Sequence, residues 1–353
     1  MSGVKLQSLI RKFKNLTKEK TDKNKIITNY QLNLSIDNMV LDTHLFQSDK
    51  SATYQLDLLS TVLSINSEIA IINEYIDNNL DTGYLNNVYN TELCNETWLI
   101  NLYMIDNIHT NFITNDNVNI KSLHIGKLTN LSAFNHYIYN GSLPELVNPE
   151  WQWLNTYYGT YDDTLVKKYK NQLLQLLESD IQSFNNINYI INEVSNKFAK
   201  INLLTIDSDI HDTHTHLTYA SFVVKLMEPS GMLFIKIPNI TEWDTEFINI
   251  LLLYSLLFTE VYIFKFNLLT KSTYLLCKNK KKISNETIYK KLIYIIANKD
   301  ITKFNLFSRD IFELPVIINW LNNLLVENNN YVAFDKILNT IDSVLKVNTK
   351  TFA

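Results

Sequence analysis

Two residues stand where a sheet protein does chemistry. Asp207 follows the buried apolar run LLTI, and Lys236 lies near the end of the run LFIKI. An acid and a lysine at the ends of neighbouring strands can share a proton or orient a hydroxyl. Each also has an ordinary reading: Asp207 as a turn or helix N-cap residue, Lys236 as a strand-end lysine reaching for solvent. His211, Asp212, His214 and His216 form the run HDTHTH. No further His or Cys cluster completes a ligand set, so no metal is expected and a polar loop is the default. Lys278 and Lys280, Lys281 and Lys282 follow another apolar run and suit either phosphate contact or a solvated strand end. Trp151, Trp153, Tyr157, Tyr158 and Tyr161 could stack a base, although Trp153 reads as core.

The elements that must position these residues change along the chain. Residues 1–30 are Lys-rich and amphipathic with no apolar signal core, as a frayed helix or mobile arm would be. Residues 53–79 and 96–105 carry apolar residues at helical spacing. After residue 117 short apolar stretches alternate with longer ones. Strands are expected at 120–125, 150–157, 201–206, 232–237, 261–264 and 273–277. Helices are expected through Phe134, Tyr137 and Ile138, and over 166–184, 187–198, 216–227 and up to 257, with Pro229-Ser230-Gly231 ending the fourth. Residues 283–353 return to helix, with Pro315 at a helix start and Trp320 on its apolar face. Alternating strands and helices imply a parallel α/β sheet with helices on both faces, closed by an antiparallel hairpin at one edge. Ligands of such sheets bind outside the carboxyl ends of the strands.

Composition narrows the function. The 353 residues are 46% hydrophobic and 19% charged, with 6 Gly and 5 Pro, which excludes a disordered chain. A net charge of −4 argues that any RNA contact is local. Two cysteines exclude a disulfide framework and point to cytoplasm or nucleus. The apolar run 247–258 is too short to span a bilayer, so no membrane partner is expected.

The order of these segments resembles the FtsJ-like ribose methyltransferases, in which an Asp strand, a Lys strand, a helix and a "YLVCK" strand follow one another. Here they read LLTID, LFIKI, FINILLLYSLLFTEVYIFK and TYLLCKNKK. LSAFNHYI (131–138) and EWQWLNTYY (150–158) sharpen the likeness toward the cap-specific RNA 2′-O-methyltransferase branch, which includes large-DNA-virus homologues. The second of these resembles a Trp-x-Trp strand followed by a turn. The resemblance covers about residues 98–282. It implies a Rossmann-like methyltransferase sheet over 96–282, preceded by an N-terminal arm and helices over 1–95 and followed by a C-terminal helical extension over 283–353.

That family uses a Lys-Asp-Lys-Glu tetrad on a ribose hydroxyl and a Gly-containing loop beside S-adenosylmethionine. Asp207 and Lys236 match the second and third tetrad members. Asn101 stands at the position of the first Lys and Ser272 at that of the Glu. The cofactor loop is reduced to HIGKLTNLSAFN, where Gly126 is the remaining glycine, Lys127 is near an expected Glu, and Thr129 and Asn130 replace Pro-Gly. The resemblance therefore implies a degenerate homologue, a structural or regulatory partner in a capping complex or virion, holding no cofactor. The alternative is an active S-adenosylmethionine-dependent cap methyltransferase, with Lys121 or Lys127 standing in for the first Lys. A protein partner is expected, and RNA is a further candidate through Lys278 to Lys282.

Overall fold

The computed structural model of the protein describes residues 39–42, 101, 113–114, 117–127, 133, 148–157, 163–208, 212–237, 245–265, 273–282, 285–298, 305–307 and 320. The expectations for 1–30, for 53–79, for most of 96–105, for the helix through Phe134, Tyr137 and Ile138, and for Pro315 lie outside these residues.

The strands are β1 (Met39–Asp42), β2 (Ile113–Thr114), β3 (Asn117–Gly126), β4 (Asn148–Tyr157), β5 (Leu173–Gln175), β6 (Ile201–Asp207), β7 (Met227–Ile237), β8 (Phe258–Lys265), β9 (Thr273–Lys280) and β10 (Asn305–Phe307). The helices are α1 (Asp163–Lys168), α2 (Phe184–Phe198), α3 (Thr213–Leu226), α4 (Thr245–Leu257) and α5 (Asn285–Ala297). The main sheet runs β5-β4-β3-β6-β7-β9-β8, with β2 paired to β3. Strands β3 to β7 are mutually parallel, and β9 is antiparallel to both β7 and β8. Strand order reverses between β3 and β6. Right-handed crossovers therefore put α1 on one face and α2, α3 and α4 on the other. This is the doubly wound α/β sheet expected from the sequence, closed by the β8–β9 hairpin.

Alternation along the strands separates two faces. Leu123, Ile125, Leu204, Ile206, Leu233, Ile235, Leu275 and Cys277 are buried in one core with residues of α2 to α5, such as Ile190, Val194, Phe222, Leu253 and Ile288. The opposite face is more polar. Ser122, His124, Asn155, Thr205 and Asp207 lie on it and are all buried. Helix starts are specified locally. Ser183 accepts from the Asn186 amide at 3.2 Å at the start of α2, and Asp212 Oδ1 accepts from the Thr215 amide at 2.8 Å at the start of α3.

Two local readings need correction. The expected helix over 166–184 is instead α1, a turn, β5 and an ordered loop. Leu174 and Leu176 are buried while Gln175 and Leu177 are exposed, a period of two that the run LLQLL hides. Pro229-Ser230-Gly231 does not end α3, which stops at Leu226. It forms a bulge in β7, where Ile201 pairs with Met227 but Leu203 pairs with Met232. The strand expected at 150–157 is present, and Asn155 and Thr156 belong to it. They continue β4, paired with His124 and Ile125.

A second, two-stranded sheet was not foreseen. β1 pairs antiparallel with β10, Met39 opposite Phe307. The Lys291 ammonium donates to the Met39 carbonyl at 2.7 Å, and the Leu306 amide donates to the buried Asn249 Oδ1 at 3.1 Å. Asn249, polar within the apolar α4, thus receives this clasp. Trp320 is helical and buried.

Candidate functional site

The strand reversal opens the sheet between the carboxyl ends of β3 and β6, where Gly126 and Asp207 are register partners. Gly126 has φ +101°, and a Cβ there would fall 2.1 Å from the Asp207 carbonyl oxygen. The next amide, Lys127 N–H, donates to that same oxygen at 3.3 Å. A side chain at 126 would prise β3 from β6, which accounts for the glycine.

Asp207 is 2% exposed, and its Oδ1 lies 3.8 Å from the Lys236 ammonium, whose side chain is 18% exposed. The two matched tetrad residues are thus brought together at the carboxyl edge. Lys236 is opposite Tyr274 on β9, and Tyr274 stacks on Phe234 with ring centroids 5.1 Å apart. The pair has an apolar floor on one side.

Beneath it lies a chain of buried polar groups that the sequence did not reveal. Trp151 Nε1 donates to Ser122 Oγ at 2.9 Å, Ser122 Oγ meets His124 Nε2 at 2.8 Å, and His124 Nδ1 meets Thr205 Oγ1 at 2.6 Å. Burial lowers the His124 pKa to about 3, so the ring is neutral. With Trp151 donating, the consistent arrangement has the Ser122 hydroxyl donating to Nε2 and Nδ1–H donating to Thr205. Ser-Leu-His-Ile was legible as a strand with alternating faces. Nothing local told that Ser122 and His124 face Thr205, 81 residues away from His124. Asn155 lies on the same face. Its amide donates to the carbonyls of Thr156 at 2.9 Å and Gly126 at 3.4 Å, and its buried Oδ1 finds no hydrogen-bond partner among the described residues.

The other candidate residues are distributed elsewhere. Asn101 is helical and buried. Ser272, Thr129, Asn130 and His211 lie outside the described residues. Lys121 sits in mid-strand, about 16 Å from Gly126 by strand rise, and its amide donates to Asn202 Oδ1 at 2.9 Å. Lys278, Lys280, Lys281 and Lys282 are at the opposite edge of the sheet, because β9 runs antiparallel to β7. Six residues of β9 separate Tyr274 from Lys280, about 20 Å. Lys280 is 4% exposed, and burial together with the neighbouring Lys200 lowers its pKa to about 8. Lys281 donates to the Ser255 carbonyl at 2.7 Å, and the Lys278 ammonium lies 5.8 Å from the centroid of the Tyr262 ring. Lys282 alone of the four is exposed.

The HDTHTH run is structural where it is described. Asp212 caps α3, and His216 is buried with Nδ1 3.2 Å from the Tyr254 hydroxyl. No cluster of three or more metal-ligating side chains occurs among the described residues. Trp151 is core, and Trp153 packs on both Trp151 and Tyr169.

S-adenosylmethionine carries a sulfonium cation and a ribose whose hydroxyls need acceptors. Gly126 would let its backbone approach such a group. Beside Gly126 the described residues present Lys127 and Lys236 with Asp207, which faces Lys236, while the further carboxylates of this edge, Glu178, Asp180 and Asp212, stand on the β5–α2 loop and at the start of α3. The end of β4 reads Asn155-Thr156-Tyr157, without an acid.

No protein-family model matches the chain, and no curated protein is similar to it. Solved structures do match in part. The CurJ carbon methyltransferase is 11% identical with a TM-score of 0.30, over 51% of this chain and 54% of that one. The fibrillarin pre-rRNA processing protein of Methanococcus jannaschii is 10% identical with a TM-score of 0.30, over 48% of this chain and 70% of that one. Human methyltransferase-like protein 13, in complex with SAH, is 10% identical with a TM-score of 0.30, over 57% of this chain and 90% of that one. The chain thus spans about half the length of the first of these. Likeness at this level carries no argument about chemistry. The strand order defines a mixed α/β, Rossmann-like doubly wound sheet, and the particular activity is a separate question.

Proposed function

We propose that this chain is a methyltransferase-fold protein in which the chemistry of the cap 2′-O-ribose enzymes it resembles has been lost, and that it serves as a structural or regulatory protein partner, in a capping complex or a virion. The observation that carries this reading is the charge at the carboxyl edge. Asp207 is buried and engaged by Lys236 at 3.8 Å, and Asn101, which stands where the resemblance expects the first Lys, is a buried amide. A 2′-hydroxyl needs a base of matched pKa and a positioned methyl donor. Among the described residues the tetrad is represented by this Asp–Lys pair alone, which by itself supplies neither the donor's counter-charge nor a full proton path. Lys121 and Lys278 to Lys282 are too distant to substitute. Lys127, exposed beside Gly126, is the one described lysine with the reach to do so.

Retention of Gly126, Asp207 and Lys236 together favours the second reading, an active S-adenosylmethionine-dependent cap methyltransferase that uses Lys127. Methyl transfer from labelled S-adenosylmethionine to capped RNA separates the two. The expected result is no transfer above the rate without protein. Transfer that disappears in both Lys236→Ala and Lys127→Ala would establish the active enzyme instead. RNA held at the exposed Lys282 would lie at the far edge from Asp207, so binding there supports a scaffold and not catalysis. No described helix is long and apolar enough to cross a membrane, and the cytoplasm, the nucleus or a virion is the setting proposed.

A further inference from the structure

The loop between β5 and α2 displays apolar side chains on a rigid frame. Leu177 is 63% exposed and Phe184 is 53% exposed. Isolated exposed apolar residues are ordinary, but these two belong to one tied segment. The buried Asn186 side chain accepts from the Leu177 amide at 2.8 Å and the Glu178 amide at 3.3 Å, and donates to the carbonyls of Glu178 and Asp180 at 2.8 Å each. Asp180 accepts from the Gln182 amide at 2.9 Å. The Gln182 side chain reaches α3, at 2.6 Å from Thr215 Oγ1 and 3.1 Å from each Asp212 oxygen. A loop fixed at this many points loses little entropy when something binds to it.

Its charge has one sign. No Lys or Arg occurs from residue 171 to 196, whereas Glu178, Asp180 and Glu193 do. Asp212 adds a further carboxylate across the Gln182 bridge. The complementary segment is in the same chain. Residues 1–20 contain Lys5, Arg11, Lys12, Lys14, Lys18 and Lys20 against a single acid, Glu19. Leu6, Leu9, Ile10 and Phe13 recur there at the spacing of one helix face. Residues 21–38 separate this segment from β1. Extended, they reach about 60 Å, and the seven-strand path of the sheet is only about 29 Å wide.

We propose that the Leu177–Phe184 platform is a docking surface for the basic amphipathic segment 1–20 of the same chain. Leu9, Ile10 and Phe13 cover Leu177 and Phe184, and the lysines face Glu178, Asp180 and Asp212. Gln175 pairs with Tyr157 at the carboxyl end of β4, so a docked segment lies along the edge that carries Asp207. The inference is independent of whether methyl transfer survives.

Zero-length carbodiimide cross-linking of the dilute full chain, read by mass spectrometry, tests it. The expected products join Lys5, Lys12, Lys14 or Lys18 to Glu178, Asp180 or Asp212 within the monomer. Their yield should fall roughly tenfold in L177S/F184S, the loss expected when the central apolar anchors of a contact are removed. The same loss is expected in L9S/I10S, which leaves the platform untouched and so guards against a folding defect in the first variant. Absence of these products overturns the proposal. So does a yield unchanged in either variant, and so does their confinement to a cross-linked dimer, which would assign the surface to a second copy.

Discussion

His124 is a fully buried imidazole held neutral by desolvation, and its acid behaviour follows from that. Its pKa is lowered from 6.5 to about 3 by burial. Between those values the unfolded chain binds a proton that the folded chain refuses. The contribution is therefore complete above pH 6.5, declines as the pH falls, and is exhausted near pH 3. Up to about 1.4 kcal/mol is lost per pH unit in that window. Denaturant titrations at pH 7.5, 5.5 and 4.5 should show a steeper acid loss in the wild type than in His124→Gln, which has no titrating ring. Parallel profiles would contradict the buried network. Gly126 is the other residue whose role is set by geometry. Gly126→Ala forces a side chain into φ +101° and against the Asp207 carbonyl. A loss of at least about 2 kcal/mol is expected by chemical denaturation, and a change below about 0.5 kcal/mol would place the β3–β6 contact elsewhere. Asp207 and Lys236 were legible because each ends an apolar strand. His124 was not, since a lone histidine in a strand gives no sign of what lies across the sheet.

At the scale of elements, the errors came from segments whose local signal is shared by two structures. LLQLL has the spacing of a helix and the alternation of a strand, and edge-strand pairing with β4 decides for the strand. Pro229-Ser230-Gly231 punctuates either a helix end or a bulge. Ser230 sits at φ 68°, a conformation glycine adopts without the Cβ cost. Ser230→Gly is therefore expected to leave β7 in place and to stabilise the protein by up to about 1 kcal/mol, measured by the denaturation midpoint. Destabilisation would mean that the Ser230 side chain supports the bulge. The loop 177–183 depends on one residue in the same way. Asn186→Ala should speed hydrogen exchange at the Leu177 and Glu178 amides at least about tenfold, because their acceptor is removed. Exchange that stays slow there would show the loop to be held by other contacts.

For the whole molecule, the sheet was legible because its strands are continuous apolar runs separated by amphipathic helices. The alternation gives the parallel order, and handedness gives the faces. The β1–β10 clasp was not legible. Strands of four and three residues carry no periodicity, and their pairing joins opposite ends of the chain. The fold has the opening between β3 and β6 where such sheets bind ligands, but fold does not fix function. Among the described residues, Asp207 with Lys236, Lys127 and Gly126 stand at that opening. The proposed function requires that this edge not hold S-adenosylmethionine. Calorimetric titration of S-adenosylmethionine into the full chain tests it most directly. No saturable heat is predicted at micromolar protein. A one-to-one isotherm with a micromolar Kd would overturn the proposed loss and restore the cofactor site.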